Sequence, residues 1–259
     1  MPEPHPLKIA IYIPAYNAAY TLPVVLDRIP AEIKEKVRKI FVVDNASPDN
    51  THLIGIGYRE AKGLDKLEVF RNETDRGYGG SQKFAYRYAI DNGFDIVVML
   101  HGDAQYAPEK IPYLLEPLER GEADMVFGSR IAGLPLAGGM PLHKYLGNKF
   151  LTAIQNRILG MKLTEFHSGF RVFRCAALAK VPFELCSNDY HFDTDIIIQF
   201  KIKGLRIVEM PIPTYYGTEK CGVNVVSYGL NVLKSMAVYW LWSKGLRKIP
   251  MFDDCRRAS

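Results

Sequence analysis

The chain has 259 residues, 48% of them hydrophobic and 24% charged, with a formal net charge of +5. That composition excludes a disordered chain, a collagen-like repeat and a polytopic membrane protein. The whole excess charge lies in residues 220–259, where Lys220, Lys234, Lys244, Arg247, Lys248, Arg256 and Arg257 face only Asp253 and Asp254, so a uniformly basic surface is not indicated and nucleic acid is not an expected partner.

Short apolar runs recur along the chain, and turn residues follow each. Ile9–Ile13 leads into Pro14-Ala15-Tyr16-Asn17, and Ile40–Val43 into Asp44-Asn45-Ala46-Ser47-Pro48-Asp49. Leu67–Phe70 leads into Arg71-Asn72-Glu73, Ile96–Leu100 into His101-Gly102-Asp103, and Met125–Phe127 into Gly128-Ser129-Arg130. Continuous rather than alternating runs predict strands buried on both faces. Helical patterns lie between them, near Thr21–Ile29, His52–Lys62, Gly80–Asn92 and Pro108–Arg120. This alternation predicts an α/β fold with a mostly parallel, doubly wound sheet. Ligands of such sheets bind at the carboxyl ends of the strands, so Asn17, Asp44, Asp103 and Arg130 are expected on one rim.

Beyond Arg130 the pattern changes. Residues 131–141 are rich in Gly and Pro, 142–160 read as helix, and Thr164–Arg171 as an irregular polar segment. Arg206–Met210 reads as an edge strand ended by Pro211 and Pro213, and 223–243 as a final amphipathic helix. In that helix Asn224, Ser227, Asn231, Lys234 and Ser235 form a polar set, and Leu230, Leu233, Ala237, Trp240 and Leu241 line much of the rest. Its Lys, Asn and Gly content makes it a poor spanning helix. An interfacial helix, with Tyr239, Trp240 and Trp242 at headgroup level, and a helix packed on the protein's own core are both open. Cys175, Cys186, Cys221 and Cys255 form no C-x-x-C pair and no signal peptide is evident, so a reducing, cytoplasmic compartment without structural zinc is expected.

The strand-end clusters carry the chemistry. Asp103 in His101-Gly102-Asp103-Ala104-Gln105 has the hard oxygens suited to a divalent cation that also grips a diphosphate; it could equally cap the helix near Pro108. Asp44 can accept hydrogen bonds from a nucleobase or ribose, while Ser47–Thr51 serve mainly as helix caps. Arg76-Gly77-Tyr78-Gly79-Gly80 opens a helix but matches neither G-x-x-x-x-G-K-[ST] nor G-x-G-x-x-G, which argues against a P-loop NTPase or a dinucleotide enzyme. His167–Arg171 and Asn188–Asp195 form a second polar cluster, in which Asp195 is either a general base or an acid favoured by a helix N-terminus.

Read together, these segments resemble the inverting glycosyltransferases of family 2 with the GT-A nucleotide-sugar fold, and among them the polyprenyl (dolichyl)-phosphate hexose synthase group. The resembling pieces are Ile13–Asn17, Val43–Thr51, Arg76–Gly79, Gly102–Gln105, Gly128–Arg130 and Ser168–Arg171, in the family's order over residues 8–215, about four-fifths of the chain. The resemblance implies a GT-A domain over 1–219 and an amphipathic helix with a basic tail over 220–259. It implies a UDP- or GDP-sugar donor held by Pro14, Tyr16, Asn17, Asp44, Gly77, Asp103, Gln105 and the late-loop Lys220. It implies Mn²⁺ or Mg²⁺ at Asp103 and His101, an acceptor phosphate near Arg130, Lys144 and Asn148, and a catalytic set of Asp103, Asp195 and Arg130. Two departures stand out: Ala18 and Ala19 follow Asn17 where an acid is usual, and His101 replaces the first acid of D-x-D, leaving it a ligand, a diphosphate donor or neither. The expected reaction is transfer of a hexose to a polyprenyl phosphate at the cytosolic face of an anionic membrane. A soluble or glycan acceptor, and a non-catalytic nucleotide-sugar-binding protein, are the alternatives.

Overall fold

The computed structural model describes residues 6–216 and 224–257. In chain order the elements are β1 (Ile9–Ala15), α1 (Thr21–Arg28), α2 (Ala31–Lys36), β2 (Lys39–Asp44), α3 (Thr51–Lys62), β3 (Leu67–Arg71), α4 (Gly77–Asp91), β4 (Ile96–Met99), α5 (Ile111–Glu119), β5 (Met125–Ser129), α6 (Leu142–Leu159), β6 (Arg171–Arg174), α7 (Cys175–Leu178), α8 (Phe192–Ile202), β7 (Ile207–Pro211), α9 (Val225–Ser243) and α10 (Pro250–Arg257). The 7-stranded sheet has the order β3-β2-β1-β4-β6-β5-β7. Strand β6 alone runs antiparallel to its neighbours β4 and β5; every other pair is parallel.

The apolar runs are continuous because both sides of the sheet are covered. Along β1, Ala10 and Tyr12 enter one core while Ile9, Ile11 and Ile13 enter the other. Strand β2 divides in the same way, Phe41 and Val43 against Ile40 and Val42, and β4 sends Val97 and Met99 to one side and Ile96 and Val98 to the other. Each such valine, isoleucine, phenylalanine or methionine, fully removed from water, contributes about 1.5–3 kcal/mol before ordering costs. Helix α1 buries Leu22, Val25 and Leu26, one stripe at helical spacing, against this sheet.

One expectation is corrected here. The segment after Thr164 is irregular only up to Phe170; Arg171–Arg174 form the antiparallel strand β6 inside the sheet. Asp193 and Asp195 lie in the first turn of α8, in line with the helix N-terminal reading of Asp195.

Helix α9 is two-sided. Asn224 caps it, its side chain accepting from the amides of Val226 and Ser227. Val232, Met236 and Trp242 turn inward, whereas Val226, Leu230 and Trp240 are exposed. Of the three aromatics expected at a headgroup level, Tyr239 and Trp242 instead pack against Phe252 of α10, and the Trp242 indole donates to Asp253. Cys255 on α10 reaches the Gln199 carbonyl of α8, so α9 and α10 pack on the sheet-bearing body. Cys175, Cys186 and Cys255 are buried free thiols.

Candidate active site

Because all strands but β6 run the same way, the turns after β1, β2, β4 and β5 meet on one rim. Backbone and short side chains knit three of them. The Gly102 amide donates to the Pro14 carbonyl and the Thr21 hydroxyl to the Gly102 carbonyl, at 3.1 and 2.6 Å. The Asn17 amide donates to Ser47 Oγ and the Ala18 amide to Thr51 Oγ1. Asn17, Ala46 and Ala104 are held at left-handed φ of 52°, 57° and 62°, one in each turn. A non-glycine residue there costs of order 1–3 kcal/mol and persists only where its surroundings over-determine it.

Asp44 ends β2 with its carboxylate fully buried. Oδ1 accepts from the Ser47 amide, whereas Oδ2 has no hydrogen-bond partner among the described residues and sees Arg71 only at 3.6 Å. A buried carboxylate oxygen left open is costly and points to a donor supplied by a ligand. Pro14 and Tyr16 border this turn, Tyr16 being exposed.

Asp103 follows β4, half-buried, with Oδ1 accepting from the Gln105 amide and Oδ2 3.9 Å from His101 Nδ1. Burial works to raise its carboxyl, but the His101 ring and nearby amides hold it below the usual carboxylate range. Among the described residues no group of three or more His, Cys, Asp or Glu is placed to hold a metal. His101 and Asp103 supply two donors, and a Mn²⁺ ion that keeps waters and takes phosphate oxygens needs few more from protein, so the pair fits Mn²⁺, whereas an imidazole suits Mg²⁺ poorly.

The remaining predicted residues fall in different places. Gly77 stands at φ +73° where an added Cβ would lie 2.4 Å from the Asn188 carbonyl oxygen, so this glycine admits the 187–188 loop against the start of α4. Gln105 lies beside Tyr215, whose amide faces the Gln105 carbonyl at 3.4 Å. Lys220 lies outside the described residues.

Arg130, at the end of β5, does not present a free guanidinium to the rim. It pairs with the buried Glu165 and also donates to the His167 carbonyl and the Tyr216 hydroxyl. Asn148 on α6 donates to the same Glu165 oxygen, at 2.7 Å. Burial works to raise the Glu165 carboxyl, but Arg130 brings it below its ordinary value. Lys144 Nζ lies 5.6 Å from the Tyr216 ring centroid, in cation–π range. Thus Arg130, Lys144 and Asn148 do come together, around an acid that sequence reasoning passed over. Nothing in spacing pairs Glu165 with an arginine 35 residues earlier.

His167 completes this wall. Its Nδ1 meets the Tyr228 hydroxyl of α9 at 2.7 Å, and its buried Nε2 has no partner among the described residues. Burial pushes its pKa down to about 4.

Asp195 stands where the second of its two readings puts it, in the first turn of α8. It is buried, Oδ2 accepting from the Ser187 amide and Oδ1 from the Ser235 hydroxyl, so it ties the 187 loop and α9 to α8 rather than facing the rim as a base. Asp193 is the α8 acid that reaches the rim, through Tyr78 to His101.

The chain matches glycosyl transferase family 2 over residues 10–181. It is 30% identical over 213 residues to the undecaprenyl-phosphate mannosyltransferase of Micrococcus luteus, spanning 80% of this chain and 83% of that protein. A UDP-N-acetylglucosamine–dolichyl-phosphate N-acetylglucosaminyltransferase of Methanococcus voltae is 28% identical over 242 residues, 90% of this chain and 93% of its own length. Among solved structures, glucosyl-3-phosphoglycerate synthase of Mycobacterium tuberculosis with phosphoglyceric acid superposes with a TM-score of 0.67 at 19% identity, over 93% of this chain and 81% of that one. Its complex with Mn²⁺, UDP-glucose and phosphoglyceric acid has a TM-score of 0.63. At such identity the structural likeness speaks for the fold, whereas the family match spans well over half of the chain. With its nearly parallel sheet and rim of strand-end turns, the chain belongs to glycosyl transferase family 2 and is a glycosyltransferase of the GT-A fold.

Proposed function

We propose that this glycosyltransferase moves a hexose from a nucleoside-diphosphate sugar to a polyprenyl phosphate, with inversion, while seated on an anionic membrane surface. One observation carries the choice of acceptor. Beside the Arg130–Lys144–Asn148 cluster, α6 exposes Leu142, Leu146 and Phe150 at helical spacing, and α9, packed on α6, exposes Val226, Leu230 and Trp240. Exposed apolar stripes on adjoining helices, next to phosphate-binding groups, suit a lipid that carries a phosphate. Lys149, Lys234, Lys244, Arg247 and Lys248 are solvent-accessible on or just beyond these helices, and each basic residue near an anionic leaflet is worth about 1 kcal/mol. No helix among the described residues is long and apolar enough to cross a membrane. The relatives named above for polyprenyl and dolichyl phosphates support the same reading.

In this reading Pro14, Tyr16 and Asp44 hold the base and ribose, Asp44 through its open Oδ2. Asp103 and His101 hold Mn²⁺, which when bound offsets charge on the departing diphosphate. A phosphate oxygen of the acceptor attacks the anomeric carbon from the side opposite the diphosphate; that carbon–oxygen bond forms as the sugar–diphosphate bond breaks. The attacking phosphate is already anionic and needs no base, which agrees with Asp195 being occupied in structural hydrogen bonds. Arg130 and Lys144 orient the acceptor phosphate once Arg130 shares its charge between that phosphate and Glu165.

The test supplies UDP- and GDP-hexoses with a polyprenyl phosphate, or with soluble phosphorylated and glycan acceptors, and reads the product anomer by NMR. Turnover on the lipid phosphate with inverted configuration, and salt-sensitive sedimentation with anionic liposomes that Phe150→Ser weakens, are expected. Turnover confined to soluble acceptors would overturn the lipid assignment and favour the second reading, a soluble phosphorylated acceptor, for which a structural neighbour binding phosphoglyceric acid speaks. Membership of a transferase family sets the non-catalytic alternative aside.

A further inference from the structure

We propose that Tyr78, anchored by Asp193, is a positioning residue that fixes His101 in the Nε2–H tautomer and so turns the Nδ1 lone pair, beside the Asp103 carboxylate, toward a divalent cation. This rests on the reading of His101 and Asp103 as the cation-facing pair.

The argument is a count of hydrogens. The Tyr78 hydroxyl owns one hydrogen and donates it to Asp193 Oδ2, at 3.1 Å. The Asp193 carboxylate only accepts: Gln82 Nε2 donates to Oδ1 at 3.3 Å, and the buried Arg171 guanidinium stands 3.6 Å from the same atom. Arg171 is itself held by the carbonyls of Phe166, Ser168 and Asp193, so the chain of bonds begins at a fixed cation in the core.

With its hydrogen spent on Asp193, the Tyr78 oxygen is left to accept. His101 Nε2 lies 3.1 Å from it and therefore carries a hydrogen. In the neutral form, in which an imidazole can take a cation, the ring has one N–H, here on Nε2, so Nδ1 then holds the lone pair. Nδ1 stands 3.9 Å from Asp103 Oδ2, too far for a hydrogen bond, and the two acceptors border one space. A divalent cation between them satisfies both, as does a water donating one hydrogen to each, and the experiment below separates the two.

The ring is held in this orientation. A Cβ on Gly169 would fall 2.3 Å from His101 Nε2, so glycine alone lets the ring approach Tyr78. Tyr106 and Tyr78 meet the imidazole edge to face, with centroids 5.2 and 5.6 Å away, and Tyr190 stacks on Tyr78 at 5.1 Å. Metal-binding histidines commonly donate their second N–H to a carboxylate, which sets tautomer and ring angle. Here a phenol is interposed between imidazole and carboxylate.

The experiment uses the full chain with ¹⁵N-labelled histidine, the His101 signals being assigned by their loss in His101→Gln. Long-range ¹H–¹⁵N spectra should show a pyridine-like Nδ1 and a pyrrole-like Nε2 in the wild type, and a mixture of tautomers in Tyr78→Phe. Mn²⁺ added alone should broaden His101 ahead of the other histidines, and Tyr78→Phe should need about 10-fold more Mn²⁺ for the same effect. A pyridine-like Nε2 in the wild type overturns the proposal without any variant, so it stays falsifiable even if Tyr78→Phe does not fold. Selective broadening with an unchanged tautomer in Tyr78→Phe overturns the positioning role and leaves the cation reading standing. Absence of selective broadening in both proteins overturns the two together.

Discussion

The two sides of the rim are built differently. On the β1–β2–β4 side the turns are shaped by backbone: three non-glycine residues sit at left-handed φ, short hydroxyl side chains tie the turns together, and the buried Asp44 Oδ2 is left with an open lone pair. On the β5–α6–α9 side the groups come from distant parts of the chain and are largely paired with one another, Arg130 with Glu165, Asn148 with Glu165, His167 Nδ1 with Tyr228, His167 Nε2 being the exception. The first side can receive a ligand without rearranging. The second must release part of an existing ion pair before Arg130 can engage an anion, so binding there is coupled to the packing of α6 and α9.

The largest test of that contrast is Glu165→Gln. It leaves the buried Arg130 without its counter-charge, and breaking a buried pair from one side costs about 3–5 kcal/mol. Denaturant unfolding should show this loss; an unchanged midpoint would mean that Arg130 is not held by Glu165 in solution, and the two sides would then be alike. Asp103→Asn should act in the opposite way. Its carboxylate accepts a backbone hydrogen bond from Gln105 and is only half-buried, so folding should barely change while turnover falls about 10²–10³-fold. Substantial turnover in a folded variant would remove Asp103 from the site.

A pH titration sharpens the comparison further. His167 is held at about 4 against 6.5 for an unhindered histidine, so the folded state binds its proton less readily than the unfolded chain. Its contribution to stability is therefore complete above about 6.5, falls as the pH drops toward 4, and levels off below; the shift corresponds to about 3 kcal/mol. Unfolding free energies of wild type and His167→Gln, compared between pH 7 and pH 4.5, isolate this term. The smallest effect belongs to Ser235→Ala, which removes one hydrogen bond to Asp195 and should cost about 1 kcal/mol without altering turnover. A large loss of turnover at unchanged stability would return Asp195 to the chemistry.

The sequence by itself determined the parts whose signal is local. Continuous runs such as Ile9–Ile13 declared strands buried on both faces, because a strand covered on both sides has no polar side to display. The turns after them, with Asn17, Asp44 and Asp103, stood next to those runs, and a parallel sheet brings such turns to one edge whatever the rest of the chain does. Tertiary structure decided what depends on long-range encounters. Arg171–Arg174 forms a strand only because β4 and β5 leave a slot that an antiparallel neighbour fills. Asp195 meets Ser187 and Ser235 while Asp193 meets Tyr78, because helical geometry sets their directions. The inward face of α9 follows from what it meets, Asp195 at Ser235 and Phe252 at Trp242, so a hydroxyl lies inside while Leu230 and Trp240 lie outside. Glu165 opposite Arg130, and Tyr78 between Asp193 and His101, are partnerships that carry no periodicity. They exist because packing leaves a buried charge or hydroxyl one place to find its partner.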